Sequence, residues 1–503
     1  MTAQEGSAMN ETIASDELGL AAEAPAELRY TRRIDDLPGP KGQPFVGNAL
    51  QLSGRQMHQK FTAWVREFGP MFRLQVFGHT IVIVSDAATA HGVMRERPDG
   101  FRRNGGLKQV MNELHIGGVF TAEGAAWRKQ RKLVMSGLNA EVIRNFFPTM
   151  VALTERMLER WKKALAEGRA VDLRRDLKAM ALDTIVGIAM GHDIDAVNQD
   201  GDPLQRDIDN MFQRLGNRTT AAFPYWRYFK LPVDRAAERS FADIETRVTE
   251  FIHHTRERME QQRHLQRKPA NMLEAMIAAS EDPESEFTDE ELVANAILSV
   301  IGGEDTTANS IAWMLCLLAQ NPVAAAALAT ETDQVLGDAP LPREWEQMKA
   351  FPYLEAAHSE TQRLKAVAPY LGLTANADCV VADTFIPKNT AIIVATAGEG
   401  RDEAQFPGHE RFRPERWIAE LRDPGEDDPT RKLFPFGGGA RLCPGRFLAL
   451  TEIKVVVSMI MRNFELEPDP KAPPAKELLN FFMAPSSVPV RLKLRVPPAG
   501  EAR

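Results

Sequence analysis

Phe436-Gly437-Gly438-Gly439-Ala440-Arg441-Leu442-Cys443-Pro444-Gly445 is a glycine-rich turn that delivers one cysteine to the start of an apolar stretch. Glycine lacks a Cβ, so three in succession let a backbone approach a flat group closely and take positive φ angles that other residues resist. From 447 to 461 apolar residues recur at helical spacing. That places Cys443 at or near a helix N-terminus, where free N–H groups and the helix dipole favour an anionic sulfur. A soft thiolate binds zinc, an iron–sulfur cluster or haem iron, and the first two usually take about four Cys or His ligands at close spacing. The chain has only Cys316, Cys379 and Cys443, no CxxC pair, and no histidine within thirty residues of Cys443. A single thiolate fits haem, whose porphyrin supplies the other four ligands, although a lone cysteine is more often a small buried apolar residue.

In order and spacing, Phe436, Gly439, Arg441, Cys443 and Gly445 resemble the haem-binding loop of the cytochromes P-450. The resemblance implies heme b (iron protoporphyrin IX) with Cys443 as thiolate metal ligand, pushing electron density through the iron. Three more segments extend it. Ile301-Gly302-Gly303-Glu304-Asp305-Thr306-Thr307 lies inside an apolar helical segment, 289–320. Each glycine there costs roughly 1 kcal/mol relative to alanine, so something requires the pair. Thr306 and Thr307 carry hydroxyls that bond back to carbonyls a turn earlier, a feature that bends or locally widens helices. The segment resembles the family's distal helix, which implies that Thr306 hydrogen-bonds dioxygen and Asp305 relays protons. Glu304 is the rival acid; neighbours on a helix point about 100° apart, and the spacing to the threonine favours Asp305.

The second segment is Glu360-Thr361-Gln362-Arg363, in a helical stretch at 353–365, followed by Phe412-Arg413-Pro414-Glu415-Arg416-Trp417. Glutamate and arginine three apart share a helix face, and Arg416 is placed to complete a charge cluster. The resemblance implies a buried network that supports the proximal loop. The third is Trp127-Arg128-Lys129-Gln130-Arg131-Lys132. By resemblance Trp127, Arg131 and Arg441 hold haem propionates, and Phe436, Gly437 and Gly445 complete the cofactor contacts. Arg128, Lys129 and Lys132 are then expected on the proximal side, where an acidic electron donor docks. One departure stands out: the run 366–376 lacks the arginine that many relatives place there, which leaves one propionate anchor unassigned.

A chain of 503 residues with 44% apolar content buries a large core. The expected organisation is an acidic disordered arm (1–36), one large domain (37–495) and a short tail (496–503). The fold class is mainly α with a minor antiparallel sheet region, as in the cytochrome P-450 fold. Hairpin signals flank Gly78 and recur at 379–394 and 488–494, while 151–165, 241–260 and 291–318 show helical spacing. Net charge of −8 and a pI near 5.8 argue against nucleic acid. Three cysteines suit a reducing cytosol. No run of eighteen apolar residues and no signal peptide is present. Leu37-Pro38-Gly39-Pro40-Lys41-Gly42 resembles the hinge that follows a membrane anchor in microsomal relatives, without the anchor. The expectation is a soluble, monomeric, cytoplasmic enzyme of bacterial type.

The resemblance implies a monooxygenase that inserts one atom of O2 into a hydrophobic small molecule such as a fatty acid, terpenoid or steroid. Its electrons would come from a separate ferredoxin with its reductase, or from a flavodoxin. A peroxygenase, a thiolate-haem isomerase and a non-catalytic haem sensor are the alternatives; retention of Asp305 and Thr306 disfavours the first two. Phe223-Pro224-Tyr225-Trp226-Arg227-Tyr228-Phe229 reads as packing somewhat better than as an entrance lid.

Overall fold

Alternating apolar residues on both sides of Gly78 form the expected hairpin: Met71–Val76 runs antiparallel to His79–Val84, with Phe72 opposite Ile83. In this computed structural model, residues 29–495 are described except 53–55, 115, 200, 220, 222, 282–286, 396–399 and 424. The hairpin is one edge of a five-stranded mixed sheet in the order Met71–Val76, His79–Val84, Ala391–Ala395, Tyr370–Ala375, Phe101–Arg103. Only the His79–Val84 and Ala391–Ala395 pair is parallel. The β-branched runs Ile81-Val82-Ile83 and Ile392-Ile393-Val394 suit its pleated centre.

The region 379–394, expected as strand pairs, divides between two sheets. Cys379–Val381 and Thr384–Ile386 form a hairpin joined by Arg32–Arg33, while Ala391–Ala395 enters the larger sheet. The fold therefore starts ahead of Leu37: Arg32 also binds Asp383 through Nε at 3.0 Å. Residues 1–28 of the expected arm, and the tail 496–503, lie outside the described residues. Val490–Leu494 pairs with Phe464–Pro468, and Glu477–Leu479 with Met483–Pro485.

The remainder is mostly helix. The central helix, Asp289–Gln320, starts at a capping box in which Glu291 N–H donates to Thr288 Oγ1 (3.2 Å) and Thr288 N–H to Glu291 Oε2 (3.3 Å). It stays α-helical throughout, so no widened turn forms at Thr306 and Thr307. Gly303 explains how it packs: a Cβ there would lie 2.6 Å from Ile185, so the helix axis approaches the buried Leu173–Met190 helix closely. Ala140–Ala166 and Arg446–Asn463 complete one apolar core with them, and two smaller clusters lie on the sheet.

Among the described residues no single helix is long and apolar enough to cross a membrane. The aromatic segment 223–229 packs at its centre, as the favoured reading has it. Trp226 is buried and donates to Glu113 Oε2 at 2.8 Å, whereas Phe223, Tyr228 and Phe229 are exposed.

Candidate functional site

Gly445 caps the Arg446–Asn463 helix, and the N–H groups of Gly445 and Arg446 are directed at the Cys443 sulfur. Cys443 N–H donates to Phe436 O at 2.9 Å and closes the loop. The thiol is accessible, yet protein surrounds it so closely that burial is the largest influence on it. Burial pushes its pKa up, against the two N–H groups and the Arg131 guanidinium. The helix start alone therefore does not make a thiolate, contrary to expectation; the charge of a coordinated metal would.

Gly437 and Gly439 take φ of +74° and +64°. A Cβ on Gly439 would lie 2.3 Å from Met94 O, so its close approach is to the Ala87–Arg95 helix. Phe436 stacks on His358 at 6.0 Å between centroids, and burial pushes that imidazole down to about 4, leaving it neutral.

Positive charge gathers next to this loop. The Arg441 guanidinium lies 4.6 Å from the centroid of the buried Trp127 ring; its Nη2 donates to Ala122 O at 2.7 Å and pairs with Glu123. Arg103 donates its backbone N–H to Glu123 Oε1 and its guanidinium Nε to Phe120 O, both at 2.8 Å, and Glu123 acts on its guanidinium by charge. Arg97 is buried near both. One carboxylate thus serves three guanidinium groups. Burial is the largest influence and lowers all three pKa values, that of Arg97 to about 10; repulsion adds to it, from Arg441 on Arg97, from Arg97 and Arg441 on Arg103, and from Arg131 on Arg441. Nε and Nη2 of Arg97, and Nε and Nη1 of Arg441, are buried without a hydrogen-bond partner. Unpaired guanidinium edges with excess positive charge match the carboxylates of haem propionates, so the residues present fit the group.

Arg97 and Arg103 were not anticipated, and a signal for Arg103 existed. Its strand pairs with Tyr370–Ala375, with Arg103 opposite Leu373, inside the run that lacks the arginine of many relatives. Arg131 is half-buried and electrostatically coupled to Cys443. Lys129, expected on a docking face, instead pairs with Glu291 at 2.8 Å and covers the Phe287 ring. Arg128 pairs with Asp99 at the surface, and Lys132 is exposed.

On the central helix, Ala294, Leu298, Gly302 and Thr306 follow at four-residue spacing and form a stripe that is not fully buried, between buried flanks. A Cβ on Gly302 would meet nothing within 4 Å. The two glycines therefore differ: Gly303 serves helix packing and Gly302 opens a groove. Thr306 Oγ1 donates to Gly302 O at 2.7 Å, the expected back-bond, and Ser310 Oγ donates to Thr306 O at 2.8 Å. Gln362 Nε2 in turn donates to Ser310 Oγ at 3.0 Å, tying this turn to the Pro352–Leu364 helix. Asp305 and Glu304 do not diverge as expected. Both reach Lys178 Nζ, at 3.1 and 3.3 Å, and Asp209 joins them there.

Glu360 and Arg363 form a doubly hydrogen-bonded pair at 2.9 and 2.7 Å, both fully buried. Arg416 Nε and Trp417 Nε1 add 3.1 and 2.8 Å bonds to Glu360. Arg363 also donates to the carbonyls of Gly400, His409 and Arg411, which anchors the segment leading to the Cys443 loop.

Comparison with known proteins agrees with this arrangement. The family described as cytochrome P-450 matches residues 37–492. "Probable cytochrome P-450 4e1" of Drosophila melanogaster is 25% identical over 88% of this chain and 84% of its own length. "Carotene epsilon-monooxygenase, chloroplastic" of Arabidopsis thaliana is 26% identical over 84% and 80%. "25-hydroxyvitamin D-1 alpha hydroxylase, mitochondrial" of Homo sapiens is 26% identical over 90% and 91%. These relatives are eukaryotic and lend no support to a bacterial type. The family match, together with an accessible thiol at a helix start beside unpaired buried guanidiniums, leads to one conclusion: the chain belongs to the cytochrome P-450 family and is a monooxygenase whose cofactor is haem with a cysteine thiolate as axial ligand.

Proposed function

We propose that Cys443 is the haem ligand and that this enzyme inserts one oxygen atom of O2 into a hydrophobic small molecule by hydroxylation or epoxidation. The observation that carries the reading is the accessible Cys443 thiol beside the unpaired N–H groups of Arg97 and Arg441. Bound haem supplies the oxygen-activating iron. Arg97 and Arg441, with Trp127 beneath Arg441, would hold its carboxylates, and Arg103 would add positive charge beside them. Thr306 Oγ1 donates to Gly302 O, which leaves its acceptor lone pairs free for a water or ligand in the groove. Asp305, one residue away, joins this turn to Lys178 and the half-exposed Asp209, a line of acid and ammonium groups that leads from solvent to the distal side.

The substrate side is apolar. Ala294 lies beside Gly117, whose Cβ would sit 3.7 Å away, and Phe120 meets Phe481 at 6.3 Å. Phe212 extends the aromatic wall. Few polar anchors inside an apolar enclosure suit a lipophilic ligand such as a terpenoid, steroid or fatty acid. The names of two relatives, a carotene monooxygenase and a vitamin D hydroxylase, point the same way.

Electrons come in this proposal from a separate ferredoxin and reductase or a flavodoxin-type donor, in a monomeric cytoplasmic enzyme. The cysteine usage supports a reducing compartment. The test is a panel of lipophilic compounds screened for spectral shifts, followed by product analysis with NADPH and surrogate donors against peroxide alone. Oxygenated product with the donors is expected; full conversion on peroxide alone would make it a peroxygenase.

A further inference from the structure

We propose that Glu304 is a proton-holding site that recharges Asp305 through the Lys178 ammonium. The inference deepens the oxygenase reading above and rests on it for the proton's destination. Three carboxylates converge on one ammonium. Lys178, from the Leu173–Met190 helix, touches Glu304 at 3.3 Å and Asp305 at 3.1 Å on the central helix, and Asp209 on the Pro203–Thr219 helix. One oxygen of each acid lies within 4.8 Å of the other two. These are the charges that act on Glu304 from the elements around it. The Lys178 ammonium already sits among those oxygens, in the place a metal ion would take.

Full ionisation of all three acids would leave two uncompensated negative charges in this cluster, and like charges this close do not ionise together. Exposure and hydrogen bonding select which acid keeps its proton. The Asp209 side chain is 50% exposed, the Asp305 side chain 9%, and the Glu304 side chain 0%. Glu304 meets the Lys178 ammonium at 3.3 Å, the longest of the three contacts, and is the most buried of the acids, so its carboxylate form is the least supported of the three. Burial, opposed by Lys178 and reinforced by Asp305 and Asp209, pushes the Glu304 carboxyl up. Burial would push Lys178 down, but the three carboxylates outweigh it and keep the ammonium charged.

The transfer is a pure proton exchange. Lys178 gives one proton to the Asp305 carboxylate as it takes the proton of Glu304. The ammonium is restored, Glu304 is left ionised, and Asp305 passes its proton toward Thr306. Glu304 is reprotonated from solvent by way of Asp209 and Lys178, and no electron moves.

The test is infrared spectroscopy of the holoenzyme with carbon-13 glutamate, alongside the ratio of product to NADPH consumed. A carboxylic acid band present at neutral pH and lost on alkaline titration is expected in the parent and absent in Glu304→Gln. Coupling in Glu304→Gln should fall by about tenfold while its thiolate-type carbon monoxide spectrum is kept, and Glu304→Asp should restore part of the loss. A band that persists in Glu304→Gln, or coupling unchanged from the parent, would overturn the proposal. If Glu304→Gln takes up no cofactor, Glu304→Asp decides: the band must leave the glutamate-labelled spectrum and appear with labelled aspartate, and a band that stays overturns the proposal. A parent that makes no oxygenated product would sink the oxygenase reading, and the infrared arm would still decide whether Glu304 holds a proton.

Discussion

Glu360 accepts five hydrogen bonds on two oxygens, from Arg363 (two), Arg416, Trp417 and the Arg413 N–H. Burial pushes this carboxyl up, but the Arg363 contacts, then Arg416 and the Arg413 N–H, outweigh it and hold the pKa below the ordinary value. Arg363→Leu leaves a buried charge without its main partner and is expected to cost about 3–5 kcal/mol, read as lost haem content and a lower melting temperature. The pH sign follows from the depressed pKa. The stabilisation is complete above the unfolded value near 4.5 and is lost as pH falls through the lower folded value. Glu360→Gln should therefore remove part of the acid sensitivity seen in urea unfolding below about pH 4.5. The surroundings of the three sulfurs support Cys443 as the proposed ligand, since it is the accessible one and two N–H groups are aimed at it. Burial pushes Cys316 up to about 12 and Cys379 to about 11, without the N–H pair that Cys443 has. Cys443→Ser is expected to abolish the thiolate-type carbon monoxide spectrum, and neither remaining cysteine should rescue it.

Two adjacent glycines in the central helix invite a single explanation, yet they face different neighbours. Gly303 is pressed against Ile185 and Gly302 against nothing. Gly303→Ala is expected to destabilise the fold by about 1–3 kcal/mol, because the added methyl forces two packed helices apart. Gly302→Ala should leave stability unchanged or raise it by up to about 1 kcal/mol through helix propensity, while its methyl narrows the groove and weakens ligand binding. Thermal melts and titration with a lipophilic ligand check the pair; equal destabilisation by both would remove the distinction. A sequence pattern identifies glycines that a helix would otherwise avoid, but only the packing partner reveals which of two neighbours is needed by which surface. The glycine loop teaches the same lesson, since Gly439 is forced by its positive φ and by Met94, a residue far away in sequence.

The long helices with an apolar stripe were legible: 353–365 became Pro352–Leu364 and 447–461 lies within Arg446–Asn463, whereas Leu173–Met190, buried almost all round, carries no stripe and was not read. The short strands Phe101–Arg103, Phe464–Pro468 and Glu477–Leu479 were not, since three to five residues with charged positions carry little period and form by pairing with distant partners. The anion pocket was half legible for the same reason. Trp127 and Arg441 stand in local motifs, whereas Arg103 joins them through its bonds to Glu123 and Phe120, and Arg97 through its charge coupling to Arg441 and Glu123, neither of which a local motif marks. As the proposed propionate site, that pocket would couple the cofactor to the stability of the fold. Three guanidiniums around Glu123 repel one another, and propionate carboxylates would relieve the repulsion, so haem binding should stabilise the folded chain by mass action. Removing haem is expected to lower the melting temperature. Arg97→Leu deletes one source of repulsion and one charged donor, so it should narrow the gap between haem-loaded and haem-free protein and weaken haem affinity by about 1.5–3 kcal/mol, roughly ten- to a hundredfold. Differential scanning calorimetry of both forms measures the gap, and a gap equal to that of the parent would show that Arg97 faces no propionate.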